Sequence, residues 1–411
     1  MTGSDRPTLF LWTPIPPART GTADYVPILL QEAAAGLFER FRLRFVVDSA
    51  ANHAIKHFQG HAVIGPEAAV PNCHDRTIFF LANNEYHRYC FRGLMTPRHG
   101  AVISLVHDLS CAMNVIGMCH DREHGFSPAD LPGFVVGELG PHRARLIREM
   151  VGQGAPHFLR TSIMAQTPML LASDHIIVHS HYARLRLLLE TRPGFPVPPI
   201  SVMDHPTDQA TTMLDEAAPR LIRQSSSRFI VGLFGWVSAA KRIIPVIEAF
   251  ASFLRQLTEN EQSKTLLRIT GHLHPPRNYD PAGAAMRAGI AQRVAFLGYV
   301  PQPELERLIS ETHLVFNLRF PSCGESSGTF KRARHLGVPV AITRYGAFNE
   351  ERADFYCSCE PSREPSDILA AIQAAYEEWQ RHGNTARLVA RDARRVPAHE
   401  SAHSVLSRLL L

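Results

Sequence analysis

Short, continuous apolar runs alternate with helix-length stretches along most of this chain. In the first half the strand-like runs are 8–12, 43–47, 77–81, 101–106 and 175–179, with helical patterns at 25–41 and 182–190. The second half repeats the rhythm at 229–234, 266–270, 295–297, 314–317 and 338–342. Runs of Val, Ile and Leu separated by helices predict parallel strands covered on both faces. The expected fold class is therefore α/β, with two doubly wound, Rossmann-like domains facing across a cleft.

Between the halves lies a proline-rich seam, Pro193, Pro196, Pro198 and Pro199, followed by Pro206. Proline resists helix and donates no N–H to a central strand, so a boundary is expected near 195–225. The reading divides the chain into 1–205, 206–385 and a helical tail at 386–411.

Bulk numbers narrow the class. At 411 residues the chain suits two domains, and 45% hydrophobic with 20% charged residues is ordinary for a globular enzyme. A formal charge of +5 without a block of like charges gives no nucleic-acid groove. It leaves room for a weakly basic face resting against anionic lipid. No uninterrupted apolar stretch is long enough for a membrane span, and the N-terminus does not read as a signal peptide. Seven cysteines without zinc-ribbon spacing suggest reduced thiols and a cytoplasmic setting, with peripheral contact to the inner face of a membrane left open.

The richest motif is 324–340. A turn of Gly324, Glu325, Ser326, Ser327 and Gly328 feeds a short helix through Thr329, Lys331 and Arg332, which Gly337 stops. Unpaired N–H groups where a helix begins favour an anion, most often a phosphate. Ser326 and Ser327 can cap the helix or bond that anion. Glu325 is the one carboxylate there, suited to sugar hydroxyls or simply to the helix N-terminus. Three other segments follow predicted strands. Prolines 14, 16 and 17 stiffen a loop in which Gly21 permits close backbone approach. His107 and Asp108 end an apolar strand, the imidazole able to bond substrate or move a proton and Asp108 able to orient it. Gly235, Trp236, Lys241 and Arg242 end another, and cations at a helix start oppose its dipole unless an anion is shared. Each segment also has a plainer reading as a capped helix, a tight turn, a histidine bonded to a carbonyl or a solvated basic pair.

Taken together, these segments resemble the retaining nucleotide-sugar glycosyltransferases of the GT-B fold, family four, especially bacterial members that build O-antigen and capsule. Leu81-Ala-Asn-Asn-Glu-Tyr-His resembles their Gly-Asn-x-x-x-His strand end, with Ala82 in place of the glycine. Val178-His-Ser-His-Tyr-Ala-Arg resembles the stretch closing their first domain. Phe234-Gly through Lys241-Arg resembles a Phe-Gly…Lys-Arg loop, and Gly324-Glu-Ser-Ser-Gly resembles a Gly-Glu-Thr-Ser-Gly signature. The resemblance implies a hexosyltransferase-like enzyme that takes a UDP- or GDP-linked sugar to a glycan, lipid-linked or other hydroxyl acceptor, without a cofactor or metal. It implies that Lys241 binds the donor diphosphate, as do the amides of Ser326 to Thr329. Glu325 would face the donor sugar or ribose, His107 would approach the transferred sugar, and the Gly21 loop would border both substrates. Two departures stand out. Trp236 occupies a position where many relatives have arginine. The two glutamates that many relatives carry with seven residues between them fall here on Gly324 and Arg332.

Three other readings use parts of the same chain. A metal-dependent hydrolase would employ His107, His120 and His124, the last two spaced i, i+4 on one helix face. A donor-binding homologue without transfer activity would follow from the changes at Trp236 and Arg332. An epimerase on the same fold would release a free sugar or a rearranged nucleotide.

Overall fold

The computed structural model describes residues 6–18, 20–33, 39–48, 55–121, 129, 131–152, 164–191, 193–206, 227–271, 279–383 and 399–410. It divides into two compact units. The first comprises Met1–Pro206, Cys323–Ser326 and Ala398–Leu411, and the second Thr207–Ser322 and Ser327–Pro397.

The first unit is built on eight strands: β1 Thr8–Trp12, β2 Arg42–Val46, β3 His57–Phe58, β4 His61–Ile64, β5 Arg76–Leu81, β6 Ala101–Val106, β7 His175–Val178 and β8 Ile200–Val202. Their order is β3-β4-β2-β1-β5-β6-β7-β8, and every pair is parallel except β3 with β4. Central strands such as β1 are buried at every position, as expected when helices cover both faces. Two clusters form the core. One, around Leu9, Leu11, Phe45 and Phe80, also takes in Val405, Leu406 and Leu410. The other gathers Phe10, Trp12, Phe79 and Val178.

The second unit carries β9 Phe229–Phe234, β10 Thr265–Thr270, β11 Val294–Gly298, β12 Leu314–Asn317, β13 Val340–Thr343 and β14 Phe355–Cys357. They are all parallel, in the order β11-β10-β9-β12-β13-β14. On one face the helix Glu364–His382 sends Ile368, Ala371, Ile372 and Ala375 into a cluster with Ile247 and Phe250 of the helix Ile243–Leu254. That spacing is a helical stripe facing a sheet. A second cluster, with Phe330, Ile342 and Phe348, lies on the opposite face.

The α/β class with two parallel-sheet, Rossmann-like units agrees with the alternation along the chain. Several details differ. Strands β3 and β4 form a hairpin whose turn, Gln59 and Gly60, has positive φ at both residues (48° and 81°). Its strands, of two and four residues, are too short a run for periodicity to find them. The seam hides β8, an edge strand that starts only after Pro199, where the missing N–H donors no longer matter. The first helix begins at Gly21 and closes at Glu32, earlier than the pattern 25–41 suggested.

The helix Ala402–Leu410 is no appended tail, although part of 386–411 lies outside the described residues. Ala402, Val405, Leu406 and Leu410 are buried in the first unit's core. Asp204 N–H donates to the Glu400 carbonyl at 2.8 Å, and Arg408 reaches both Glu400 and Ser201. The chain end thus completes the unit in which the chain begins. Leu406→Ala is expected to destabilise the first unit by about 2–5 kcal/mol. Urea unfolding followed with a probe in that unit checks this, and an unchanged midpoint would count against a core role for the helix.

Candidate functional site

In the second sheet the strand order reverses between β9 and β12. Loops leaving neighbouring strands diverge at such a point, which opens a crevice beyond their carboxyl ends. Gly235 follows β9 with φ of 89°, a conformation that favours glycine. A Cβ there would lie 2.4 Å from Lys241 Nζ and 3.6 Å from Thr329 Oγ1. Gly271, which follows β10, would place a Cβ 2.0 Å from the Gly235 carbonyl oxygen. Two glycines therefore let main chain, ammonium and hydroxyl converge on one spot.

Lys241 ends a single 3-10 turn, Ala239–Lys241, and its ammonium donates to the Phe234 carbonyl at 2.7 Å. The helix Gly328–His335 starts beside it. Ser327 is the N-cap: its hydroxyl accepts from Phe330 N–H at 3.3 Å and donates to Asn317 Oδ1 at 2.9 Å. The amide nitrogen of Asn317 is buried and has no hydrogen-bond partner among the described residues. Asn317 lines a narrow crevice with Gly235, Lys241, Ile243 and Phe316. Sequence reasoning placed Asn317 only as a strand end; a polar residue closing an otherwise apolar strand was the available signal. No acid occupies the first turn of Gly328–His335, while Arg332, Arg334 and His335 occupy its last. Ammonium and helix N-terminus together make a positive spot suited to an anion.

Arg242, Lys331 and Arg332 each have a carboxylate partner. Arg242 forms a two-pronged ion pair with buried Glu364, Nε to Oε1 at 2.8 Å, and that partner holds its pKa above the usual value. Its charge anchors the helix Glu364–His382. Arg332 Nε lies 3.4 Å from Glu306, and Lys331 Nζ lies 3.0 Å from Glu351. Trp236 is partly exposed, at 39%.

The remaining predicted residues belong to the first unit. Its order reverses between β1 and β5, and Gly21 opens a helix just beyond β1, with open space where a Cβ would stand. Thr22 Oγ1 lies 2.6 Å from His87 Nε2, whose other ring nitrogen meets the Phe80 carbonyl at 2.8 Å. His107, directly after β6, joins a buried aromatic group. Its ring lies 4.5 Å from Tyr25, 5.6 Å from His179 and 6.3 Å from His87, and His205 packs against both Tyr25 and His179. Burial first, then the neighbouring histidines 179, 87 and 205, holds His107 well below its usual pKa. Burial brings His87 to about 4, despite the bond to Phe80. Both are neutral imidazoles near pH 7, suited to hydrogen bonding. Asp108 accepts from Asn83 N–H at 2.9 Å, so its described bond serves the loop after β5 and not the His107 ring.

Gly324, Glu325 and Ser326 group with the first unit, whereas Ser327, Gly328 and Thr329 group with the second. Glu325 accepts from Cys323 N–H at 2.6 Å, and the Cys323 carbonyl accepts from Leu109 N–H at 3.0 Å. Gly324 has φ of 79°, and a Cβ on it would meet Leu109 Cδ1 at 2.5 Å.

For the metal reading, His120 is exposed and bonds Asp121, which also meets Arg88. His124 lies outside the described residues. Among the described residues no group of three His, Cys, Asp or Glu is arranged to hold a metal ion, and no described helix is long and apolar enough to cross a membrane. All seven cysteines are unbridged.

No protein-family model and no curated protein matches the chain. Solved structures do. HepE of Anabaena, in complex with UDP and glucose, matches with a TM-score of 0.56 at 15% identity, over 98% of this chain and 95% of that one. WaaG, a glycosyltransferase involved in lipopolysaccharide biosynthesis, matches with 0.53 at 14% identity, over 98% of each chain. Sucrose-phosphate synthase of Thermosynechococcus elongatus matches with 0.56 at 15% identity, over 98% and 97%. At these identities the likeness establishes the fold.

The buried histidines make stability depend on pH. Their folded pKa values are depressed, so the unfolded chain binds protons first as pH falls below about 6.5. Stability contributed by neutral His87 and His107 is complete above that value and declines toward pH 4. For His87 alone the loss is on the order of 3 kcal/mol. Urea titrations at pH 7.5 and pH 5 measure it, and a midpoint that holds constant between them contradicts the description.

Proposed function

We propose that the protein is a glycosyltransferase that moves a sugar from a nucleoside diphosphate to a hydroxyl acceptor, with retention of anomeric configuration, in glycan or polysaccharide biosynthesis. The observation that carries this reading is the convergence of Lys241 Nζ and Thr329 on Gly235, at the start of the helix Gly328–His335. A leaving diphosphate gains negative charge as the anomeric C–O bond breaks. An ammonium and helix-terminal N–H groups aimed at that charge stabilise it most in the transition state. This positive charge is already in place, so the proposed reaction needs no metal at the diphosphate. The bond that forms joins the anomeric carbon to the acceptor oxygen, and the acceptor's proton passes to the departing phosphate oxygen.

Within this reading Asn317 adds an amide donor beside the diphosphate, and Ser327 holds the helix start in register rather than bonding phosphate itself. Glu325 and neutral His107 are assigned to sugar hydroxyls. The solved structures support the reading at the level of fold, and HepE is one that holds UDP and, in another complex, UDP-glucose. The acceptor is assigned to the first unit, whose Gly21 loop and Thr22–His87 pair lie beyond the carboxyl ends of β1 and β5. Peripheral contact with an anionic membrane would suit a lipid-linked acceptor.

Lys241→Ala is expected to lower transfer about a hundredfold or more, corresponding to roughly 3 kcal/mol of lost charge stabilisation, with an unchanged melting profile. A panel of UDP- and GDP-sugars, scored for acceptor-dependent product and its anomeric configuration, provides the assay. Near-normal turnover by this variant would contradict the assignment. Nucleotide release without glycosylated product would favour the non-transferring or epimerase reading.

A further inference from the structure

A second concavity, of about 760 Å³, lies in the first unit near the amino end of β2. The Gly21 and His107 loops lie beyond the opposite, carboxyl ends of the strands. Its volume is within the range of small-molecule sites, roughly 300–1,000 Å³. The start of β2, the β3–β4 hairpin and the end of the helix Gly21–Glu32 form its walls.

The charge on those walls is one-sided. Arg6, Arg42, Arg44, His57 and His61 line the space, and Glu39 is the one acid among its described lining residues. Arg6 bonds the main-chain carbonyl of Glu39 at 2.9 Å, a contact that leaves that guanidinium's charge unneutralised by a carboxylate there. Arg42 and Arg44 alternate with Leu43 along β2, so both project to the same face. The Nε of Arg44 is buried without a hydrogen-bond partner among the described residues.

Guanidinium forks match phosphoryl oxygens two at a time. We propose that this concavity binds a small phosphorylated molecule, its phosphoryl group held by Arg6, Arg42 and Arg44. A concavity of this volume fits a discrete ligand better than the flat face of a bilayer. The inference is independent of the donor site, which lies in the other unit.

Inorganic pyrophosphate is a suitable probe, titrated by calorimetry into the full-length Lys241→Ala protein so that the Lys241 site does not contribute. Binding is expected to persist in that variant, to weaken with added salt, and to weaken about tenfold or more on adding Arg42→Glu. Arg6→Glu should act in the same direction. Both positions are exposed, and the melting profile verifies that each variant folds. Absence of binding in Lys241→Ala, or an affinity unmoved by both charge reversals in folded protein, overturns the proposal. So does binding to phosphatidylglycerol vesicles without binding to pyrophosphate.

Discussion

The placement of one ammonium group organises the second unit's candidate site. Lys241 donates to the carbonyl of Phe234, the last residue of β9, and the main chain around it has no room for extra carbon. Gly235 could not carry a Cβ without displacing the ammonium, and Gly271 could not without striking the Gly235 carbonyl. The sheet delivers β9 and β12 side by side at its reversal point, and the helix Gly328–His335 begins in the same place. Positive charge is thus held by rigid elements, where a preorganised field is worth most.

Cations elsewhere in this unit have different duties. Glu364 is almost fully buried and would be costly to leave unpaired, so Arg242 is committed to it. Arg332 and Lys331 likewise face Glu306 and Glu351. Sequence gives no sign of which cation has a carboxylate waiting from a distant helix, because those partners are brought in by the fold. Arginine and lysine are also very unevenly used: lysine occurs only at 56, 241, 264 and 331. A compact ammonium at the sheet reversal is therefore unusual for this chain.

Much of the architecture was legible because buried parallel strands are written as unbroken apolar runs. β1, β6, β9 and β12 have the bounds the pattern suggested. What escaped was short, polar or at an edge: β3, β4, β8 and β14 bury too little to leave a periodic signature. The C-terminal helix was legible as a helix but not as part of the first unit, since its partners lie almost four hundred residues earlier in the chain, His403 meeting the Ala33 carbonyl being one case (|i−j| = 370). At the candidate sites, turn chemistry pointed to Gly235, Lys241 and the 324–329 turn. It did not reveal that Ser327 would spend its hydroxyl on the cap and on Asn317, nor that His107 would sit among Tyr25, His179 and His205. Those are contacts between residues far apart in sequence.

The scarcity of lysine permits a direct measurement. Amine acetylation can be followed residue by residue by mass spectrometry, with and without UDP, while Lys56 and Lys264 on the surface serve as internal references. If Lys241 meets a nucleoside diphosphate, saturating UDP will protect its ammonium selectively and leave the references unchanged. Equal labelling of Lys241 with and without bound UDP would contradict the account.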